Sequence, residues 1–122
     1  MSTYRNLMIW QKSMNLTTQI YLLTNTFPKE EIYGLTSQIR RCSISIPSNI
    51  AEGYGTESDK DFLRFLYISV GSLFEMQTQL EIAKNIAYIN EDLFNNIYEN
   101  SREVERMIVS FNKKIKERNS PS

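Results

Sequence analysis

Three observations predict an all-α protein folded as an antiparallel up-down four-helix bundle. Apolar residues recur at steps of three and four through four long segments, which is the spacing of one helix face. The linkers between these segments are short, around residues 28–30, 53–57 and 88–90, and short links join antiparallel neighbours in bundles. Helix-capping residues and prolines stand near the predicted helix ends.

The first segment runs from about Asn6 to Phe27 and carries two adjacent apolar stripes. One stripe consists of Ile9, Ser13, Leu16, Ile20, Leu23 and Phe27. The other consists of Leu7, Trp10, Met14, Thr17, Tyr21 and Thr24. Two stripes make a wide face, as a helix needs when it packs against more than one neighbour. Pro28 should end the helix, because the residue before a proline is pushed out of the helical region.

The second segment contains "CSISIPSNI", which alternates like a short strand when it is taken alone. Its flanks favour a helix, because apolar residues continue at steps of three and four: Ile32, Leu35, Ile39, Cys42, Ile46 and Ile50. Pro47 then lies inside a helix, where it removes the hydrogen bond to the Ser43 carbonyl. We expect a kink there, with Ser43 and Ser48 helping to satisfy the freed backbone groups.

The third and fourth segments have the clearest periodicity. Ser58 should cap the third, whose heptad seam is Phe62, Leu66, Ser69, Leu73, Met76, Leu80, Ala83 and Ala87. Gly71 lies mid-helix, where glycine costs about 1 kcal/mol relative to alanine, so a close neighbour is expected there. Asn90 should cap the fourth segment, whose apolar face is Ile97, Ser101, Val104, Ile108, Phe111 and Ile115.

Length and composition indicate one cytoplasmic domain. The 122 residues fit a single bundle over residues 1–118, followed by a flexible tail over residues 119–122. No apolar run is long enough for a transmembrane helix, and the N-terminus does not resemble a targeting segment. The single cysteine, Cys42, cannot form an internal disulfide and fits a reducing compartment.

The net charge is zero, but the charges are unevenly distributed. Residues 1–41 carry five basic and two acidic side chains, and residues 42–105 carry four basic and eleven acidic ones. Residues 106–122 carry five basic side chains and one acidic one. One interpretation is pairing between basic and acidic helices. The other is a basic surface made by the two chain ends.

Polar residues in the second segment form a stripe of their own beside the apolar face. It consists of Gln38, Arg41, Ser45, Asn49 and Glu52. One interpretation is a structural network that sets helix register, in which Arg41 pairs with Glu52 or with Glu75 and Gln79. The other is a binding groove.

Catalysis is not predicted. The chain has no histidine, so it contains neither a Ser-His nor a Cys-His pair, and it lacks the Glu-x-x-His motif of di-iron bundles. Gly53 and Gly55 are not followed by the Lys-Ser/Thr of a phosphate-binding loop. We therefore predict no enzymatic activity, no cofactor and no metal ligand.

Four stretches carry a resemblance to a known family: "IWQKSM", "IYLLTNTFPKEEIYGLTSQIRR", "SIPSNIAEGYG" and "SDKDFLRFLYISVGSLFEMQTQL". They resemble the four-helix bundle proteins encoded in intervening sequences of bacterial 23S ribosomal RNA genes. The accessory protein of diversity-generating retroelements, which assists a reverse transcriptase, is similar in fold. The resemblance implies a homopentamer without known catalytic activity. It also implies nucleic-acid and protein binding through a basic surface.

The sequence departs from the family's pattern at several positions. Thr56 stands where members often have arginine, and Ser69 and Val70 replace a commoner pair of a small and a basic residue. Cys42 stands where alanine is usual. Two of these departures remove positive charge, which weakens the expectation of RNA binding.

Two functions remain open at the level of sequence. The first is an oligomer that associates with RNA, with DNA or with a nucleic-acid enzyme. Its candidate phosphate contacts are Arg40, Arg41, Lys113, Lys114, Lys116 and Arg118. The second is a protein-interaction scaffold with no nucleic-acid role.

Overall fold

The computed structural model describes residues 3–119, which form four α-helices and two short 3₁₀ turns. The helices are α1 (Met8–Thr24), α2 (Leu35–Tyr54), α3 (Asp59–Asn85) and α4 (Glu91–Arg118). The 3₁₀ turns are Tyr4–Asn6 and Lys29–Glu31. Each helix packs against two others, in the order α1–α2–α3–α4 and back to α1, with α2 and α3 in the most extensive contact. The predicted all-α four-helix bundle is confirmed. Within residues 3–119, no helix is long and apolar enough to cross a membrane.

The core lies along the predicted apolar faces. On α3 the heptad seam is buried from Phe62 through Ala83, and the first stripe of α1 is buried from Ile9 through Phe27. The second stripe of α1 is half-buried for most of its length and flanks the core. On α4 the structure buries Asn112 and leaves Phe111 half-buried, whereas Ile108 and Ile115 on either side are buried as predicted.

The first helix ends three residues earlier than the sequence predicts. Backbone N–H groups of Thr26 and Phe27 donate to the carbonyls of Leu23 and Thr24, so the chain leaves α1 through tight turns before it reaches Pro28. Phe27 nevertheless stays buried. Ile32, predicted on the second helix, precedes α2 and is exposed.

The connection between α1 and α2 is held against the connection between α3 and α4. The Tyr88 hydroxyl donates to Glu31 Oε2 over 2.7 Å, and the Leu35 N–H donates to Glu31 Oε1 over 3.2 Å. The hydrogen bond from Tyr88 lowers the pKa of Glu31 most, and the bond from the Leu35 N–H lowers it further. The carboxylate therefore caps the first turn of α2, which has no side-chain cap from its own N-cap residue.

The stretch "CSISIPSNI" is helical, and Pro47 lies inside α2 as predicted. The expected partner for the freed Ser43 carbonyl was wrong. The Ser43 hydroxyl donates to the Arg40 carbonyl over 2.9 Å, whereas Thr17 of α1 donates to the Ser43 carbonyl over 2.9 Å. The same Thr17 hydroxyl lies 3.0 Å from the Ser13 carbonyl, so one proton serves two acceptors. A neighbouring helix thus replaces the donor that proline lacks.

Gly71 has no close neighbour among the described residues, contrary to the expectation from the sequence. Gly71 is exposed, and an added Cβ would meet nothing within 4 Å among the described residues. The close approach occurs instead at Gly53, where a Cβ would lie 2.8 Å from Phe65 Cβ. The α2–α3 packing therefore requires glycine at Gly53 and does not require it at Gly71.

Ala87, predicted as the last residue of the buried seam of α3, does not belong to that seam. This residue follows the helix, is exposed and has a φ of 65°, in the left-handed region. The Tyr88 N–H donates to the Ala83 carbonyl, and the Ala87 N–H donates to the Lys84 carbonyl. This pair of bonds is the Schellman motif that ends many helices, usually with glycine in the left-handed position.

We expect Thr17→Val to lower the free energy of unfolding by about 1–3 kcal/mol, because it leaves the Ser43 carbonyl without a donor. In a Pro47→Ala background the new N–H supplies that donor, so the same substitution should cost at most half as much. Urea unfolding of the four variants measures this coupling. Thr18→Val is the matched control, because Thr18 bonds only the carbonyl four residues earlier and is exposed. Equal costs of Thr17→Val in both backgrounds would contradict the assignment.

We expect Ala87→Gly to raise the free energy of unfolding by about 0.5–1 kcal/mol, because glycine adopts positive φ without strain. Ala51→Gly, inside α2, should have the opposite sign, since glycine is unfavourable within a helix. Thermal unfolding of both variants tests this contrast. A loss of stability with Ala87→Gly would show that the left-handed residue is not strained.

Candidate functional site

The polar stripe of α2 divides into two parts. Gln38, Arg41 and Glu52 are exposed, whereas Ser45 and Asn49 are half-buried. The stripe therefore does not present five polar side chains to one groove. Each part has a different neighbour and a different capacity to bind a ligand.

Ser45 and Asn49 belong to a polar contact between α2 and α3. The Ser72 hydroxyl of α3 donates to Ser45 Oγ over 2.8 Å, and the Asn49 amide donates to the same oxygen over 2.9 Å. One turn away, the Ser69 hydroxyl donates to the Ile46 carbonyl over 2.9 Å. These bonds allow only one longitudinal position of α3 on α2. This half of the stripe acts in helix packing.

Arg41 does not make the ion pairs that the structural interpretation expected. Its guanidinium donates to Gln38 Oε1 over 2.7 Å on the same helix, and no ion pair within residues 3–119 links it to Glu52 or Glu75. Gln79 instead accepts a hydrogen bond from the Cys42 thiol over 3.3 Å. Arg41 is therefore a surface cation available to a partner.

Cys42 is a packed thiol. It is 5% exposed, and burial together with the nearby Glu75 carboxylate raises the pKa of Cys42 to about 11. The reactive thiolate is thus scarce at neutral pH. Among the described residues, no group of three His, Cys, Asp or Glu side chains is placed to hold a metal ion.

Arg40, a candidate phosphate contact, is engaged by α1. Its Nε donates to the Thr24 hydroxyl over 2.8 Å, and Nη2 donates to Asn25 Oδ1 over 3.0 Å. The guanidinium also lies 4.8 Å from the centre of the Tyr21 ring. These contacts attach α2 to the end of α1, so Arg40 has little freedom to reach a ligand.

Two of the four C-terminal candidates are also engaged. Arg118 pairs with Asp59 at the start of α3, with 2.8 Å between Nε and Oδ2, and Asn119 donates to the same carboxylate over 2.7 Å. Lys116 lies over the Tyr67 ring. Asn119, the first residue of the predicted flexible tail, therefore contacts α3, while residues 120–122 lie outside the described part of the chain.

Lys113 and Lys114 are exposed on α4 and form no ion pair within residues 3–119. Arg106, which the sequence did not single out as a contact, lies seven residues earlier on the same exposed face and is also without an ion pair in the described chain. Arg106 and Lys114 flank a groove of about 450 Å³ whose other side is the chain start, residues 6–9. The seven-residue spacing was the signal that could have identified Arg106.

The candidate cations lie at opposite ends of the bundle. Arg40 contacts the end of α1, whereas Arg118 contacts the start of α3. Both α2 and α4 run from the end of the bundle where α1 stops to the end where α3 begins. Arg40 and Arg41, near the start of α2, are therefore separated from Lys113 and Lys114, near the end of α4, by most of a helix length. The candidate cations therefore form two separate groups, one at the start of α2 and one at the end of α4.

These features define a small antiparallel four-helix bundle with a polar seam between α2 and α3 and a basic region at the end of α4. The chain belongs to the 23S rRNA-intervening sequence protein family, whose model matches residues 5–110. This match confirms the resemblance seen in the sequence motifs.

A solved structure supports the same assignment. A protein of unknown function from the S23 ribosomal protein family of Bacteroides thetaiotaomicron is similar, with a TM-score of 0.78 and 25% sequence identity. The similarity covers 86% of this chain and 98% of that one. No curated protein matches this chain.

We expect Arg118→Gln to raise the pKa of Asp59 from about 2 toward the ordinary value near 3.9, because the arginine bond is its main cause. Since the folded-state pKa is depressed, the pair's stabilisation is complete above about pH 4. It disappears as the pH falls toward 2. NMR titration of the carboxyl group measures the pKa directly. Lys114→Gln is the control and should leave it unchanged; an unshifted pKa in Arg118→Gln would contradict the pairing.

Proposed function

We propose that this protein is a non-enzymatic, self-assembling bundle of the cytoplasm that associates with RNA or DNA through phosphate contacts at the end of α4. The observation that carries the proposal is the exposed set of Arg106, Lys113 and Lys114, which have no ion pair among the described residues. Along the helix these cations span about 12 Å. Unpaired cations on one face bind phosphates and release the counterions around them.

Self-assembly compensates for the weak charge of a single copy. The net charge is zero, so one chain has little long-range attraction for a polyanion. A homopentamer, the assembly that the family resemblance implies, would present five basic regions together. Linked weak sites bind more tightly than any one of them by avidity. The proposal therefore needs the oligomer as well as the cations.

The family description supports an RNA connection, since it names an intervening sequence of 23S rRNA. A nucleic-acid enzyme such as a reverse transcriptase is a further candidate partner, following the fold resemblance noted above. Such an enzyme and the protein would meet on the same nucleic acid. Base-specific recognition is not part of the proposal, because the bundle contains none of the known groove-reading motifs.

A protein-interaction scaffold is the alternative, and one observation favours it. Several large apolar side chains are exposed on α3, among them Phe74 (47% exposed) and Ile82 (44% exposed). Exposed apolar residues grouped on one helix are typical of protein contacts. In this alternative the basic residues are only solvated.

We expect nucleic-acid binding that weakens steeply with salt. In a variant carrying Arg106→Gln, Lys113→Gln and Lys114→Gln, the slope of log affinity against log salt should fall by roughly 0.7–0.9 per lost phosphate contact. Fluorescence anisotropy with labelled RNA and duplex DNA at several salt concentrations measures both quantities. Lys116 and Arg118 stay unchanged, since both contact α3.

The matched control removes three cations elsewhere, with Lys12→Gln, Lys29→Gln and Arg102→Gln, and reaches the same net charge. It should retain the wild-type slope, because Lys12 and Arg102 already pair with glutamates, and Lys29 lies in the turn between α1 and α2, at the other end of the bundle from Lys113. Binding that is insensitive to salt, or equal losses in both triple variants, would contradict the proposed surface. An absence of binding in an intact oligomer would favour the scaffold.

A further inference from the structure

The outward side of α3 is unusually apolar for a helix surface. We define the α3 outer face by its exposed residues Arg64, Tyr67, Ile68, Gly71, Phe74 and Glu75. Its middle carries aromatic and aliphatic side chains around the open Gly71, while Arg64 and Glu75 lie at either side of that middle. Neither of these charged groups forms an ion pair within residues 3–119.

A groove of similar length runs along the other side of the bundle, between α1 and α2. It consists of two adjoining hollows of about 350 and 320 Å³ that share Ile44. We define the α1–α2 groove by its main lining residues Trp10, Met14, Tyr21, Arg41, Ile44 and Pro47. Its lining is apolar in the middle, with Arg41 toward one end. Glu52 is exposed near the other end of α2.

We propose that the α3 outer face of one copy docks into the α1–α2 groove of a second copy. This inference rests on the self-assembly part of the proposed function and identifies its interface. The two surfaces differ and belong to different helices, so the contact is heterologous and closes only as a ring.

The longitudinal match between the two surfaces follows from the contacts inside one chain. Ser45 bonds Ser72, and Gly53 lies against Phe65, so each of these two pairs from the antiparallel helices α2 and α3 lies at nearly the same height along the bundle. In a ring whose axis is parallel to the helices, copies are related by rotation without a shift along that axis. Each residue of α3 therefore meets the groove residues that lie at its own height.

This rule brings complementary groups together. Glu75 of one copy lies within about 1.5 Å of the height of Arg41 in the next, because Arg41 precedes Ser45 by four residues and Glu75 follows Ser72 by three on the antiparallel helix. Arg64 lies within about 3 Å of the height of Glu52, since Phe65 packs against Gly53 and the two helices are antiparallel. The apolar middle, with Phe74, falls between these pairs, at the height of Ile44. Two opposite-charge pairs flanking an apolar centre are the arrangement of a specific interface.

The same arrangement accounts for Gly71. A glycine inside an exposed helix costs about 1 kcal/mol relative to alanine, and no residue within 3–119 occupies the space at its missing Cβ. Because residues at the same height meet across the interface, Gly71 faces Pro47 and Met14 of the next copy. A backbone without a side chain there lets α3 approach the groove closely.

Light scattering and sedimentation of the full chain across a concentration range test the interface. Gly71→Gln should fold at least as stably as the wild type, because the site is open and glutamine favours helix. It should raise the dissociation constant of the assembly about tenfold or more. Asn95→Gln, exposed on α4 away from both surfaces, is the matched control and should assemble normally.

Charge reversal provides the second readout. Arg41→Glu and Glu75→Arg should each weaken assembly, because each places like charges opposite one another. The double variant should recover most of the loss, since every interface in a ring then contains the swapped pair. If the wild type forms an oligomer and Gly71→Gln, Arg41→Glu and Glu75→Arg all assemble equally well, this interface is wrong, although self-assembly itself still holds. A wild-type monomer at all concentrations would overturn both.

Discussion

The bundle depends on how α2 tolerates a proline in its middle. Pro47 leaves the Ser43 carbonyl without its helical donor, and Thr17 of α1 supplies a hydroxyl in its place. On the adjoining side, Ser69 of α3 donates to the carbonyl just before Pro47. Three helices are thus joined by hydroxyl–carbonyl bonds at one level, where purely apolar packing would leave a buried polar group unsatisfied.

These bonds have consequences beyond stability, because they determine the height of each helix relative to the others. Apolar side chains alone would allow α3 to slide along α2 at modest cost, whereas hydrogen bonds between directed hydroxyl groups do not. The positions of Arg41, Glu75 and Gly71 on the surface follow from this register. A structural seam inside one chain therefore decides which surface groups a second copy would meet.

The surface charge of this neutral chain depends on which basic side chains form contacts within the fold. Arg40 is held by Thr24 and Asn25, and Arg118 is held by Asp59. Some basic residues, Lys12 and Arg118 among them, pair with acidic ones, whereas Arg106, Lys113 and Lys114 form no ion pair within residues 3–119 and lie toward the end of α4. Composition counts these groups equally, but only contacts distinguish them.

The sequence by itself determined the four helices, the N-caps of α3 and α4 and the buried seam of α3, because apolar periodicity and capping are local properties of the chain. It also carried the motifs of the family. Only the tertiary structure decided the donor for the Ser43 carbonyl, the division of the polar stripe, and the different roles of Gly53 and Gly71. Each of these depends on which residues distant in the chain become neighbours, and local periodicity does not specify the height or rotation of one helix against another.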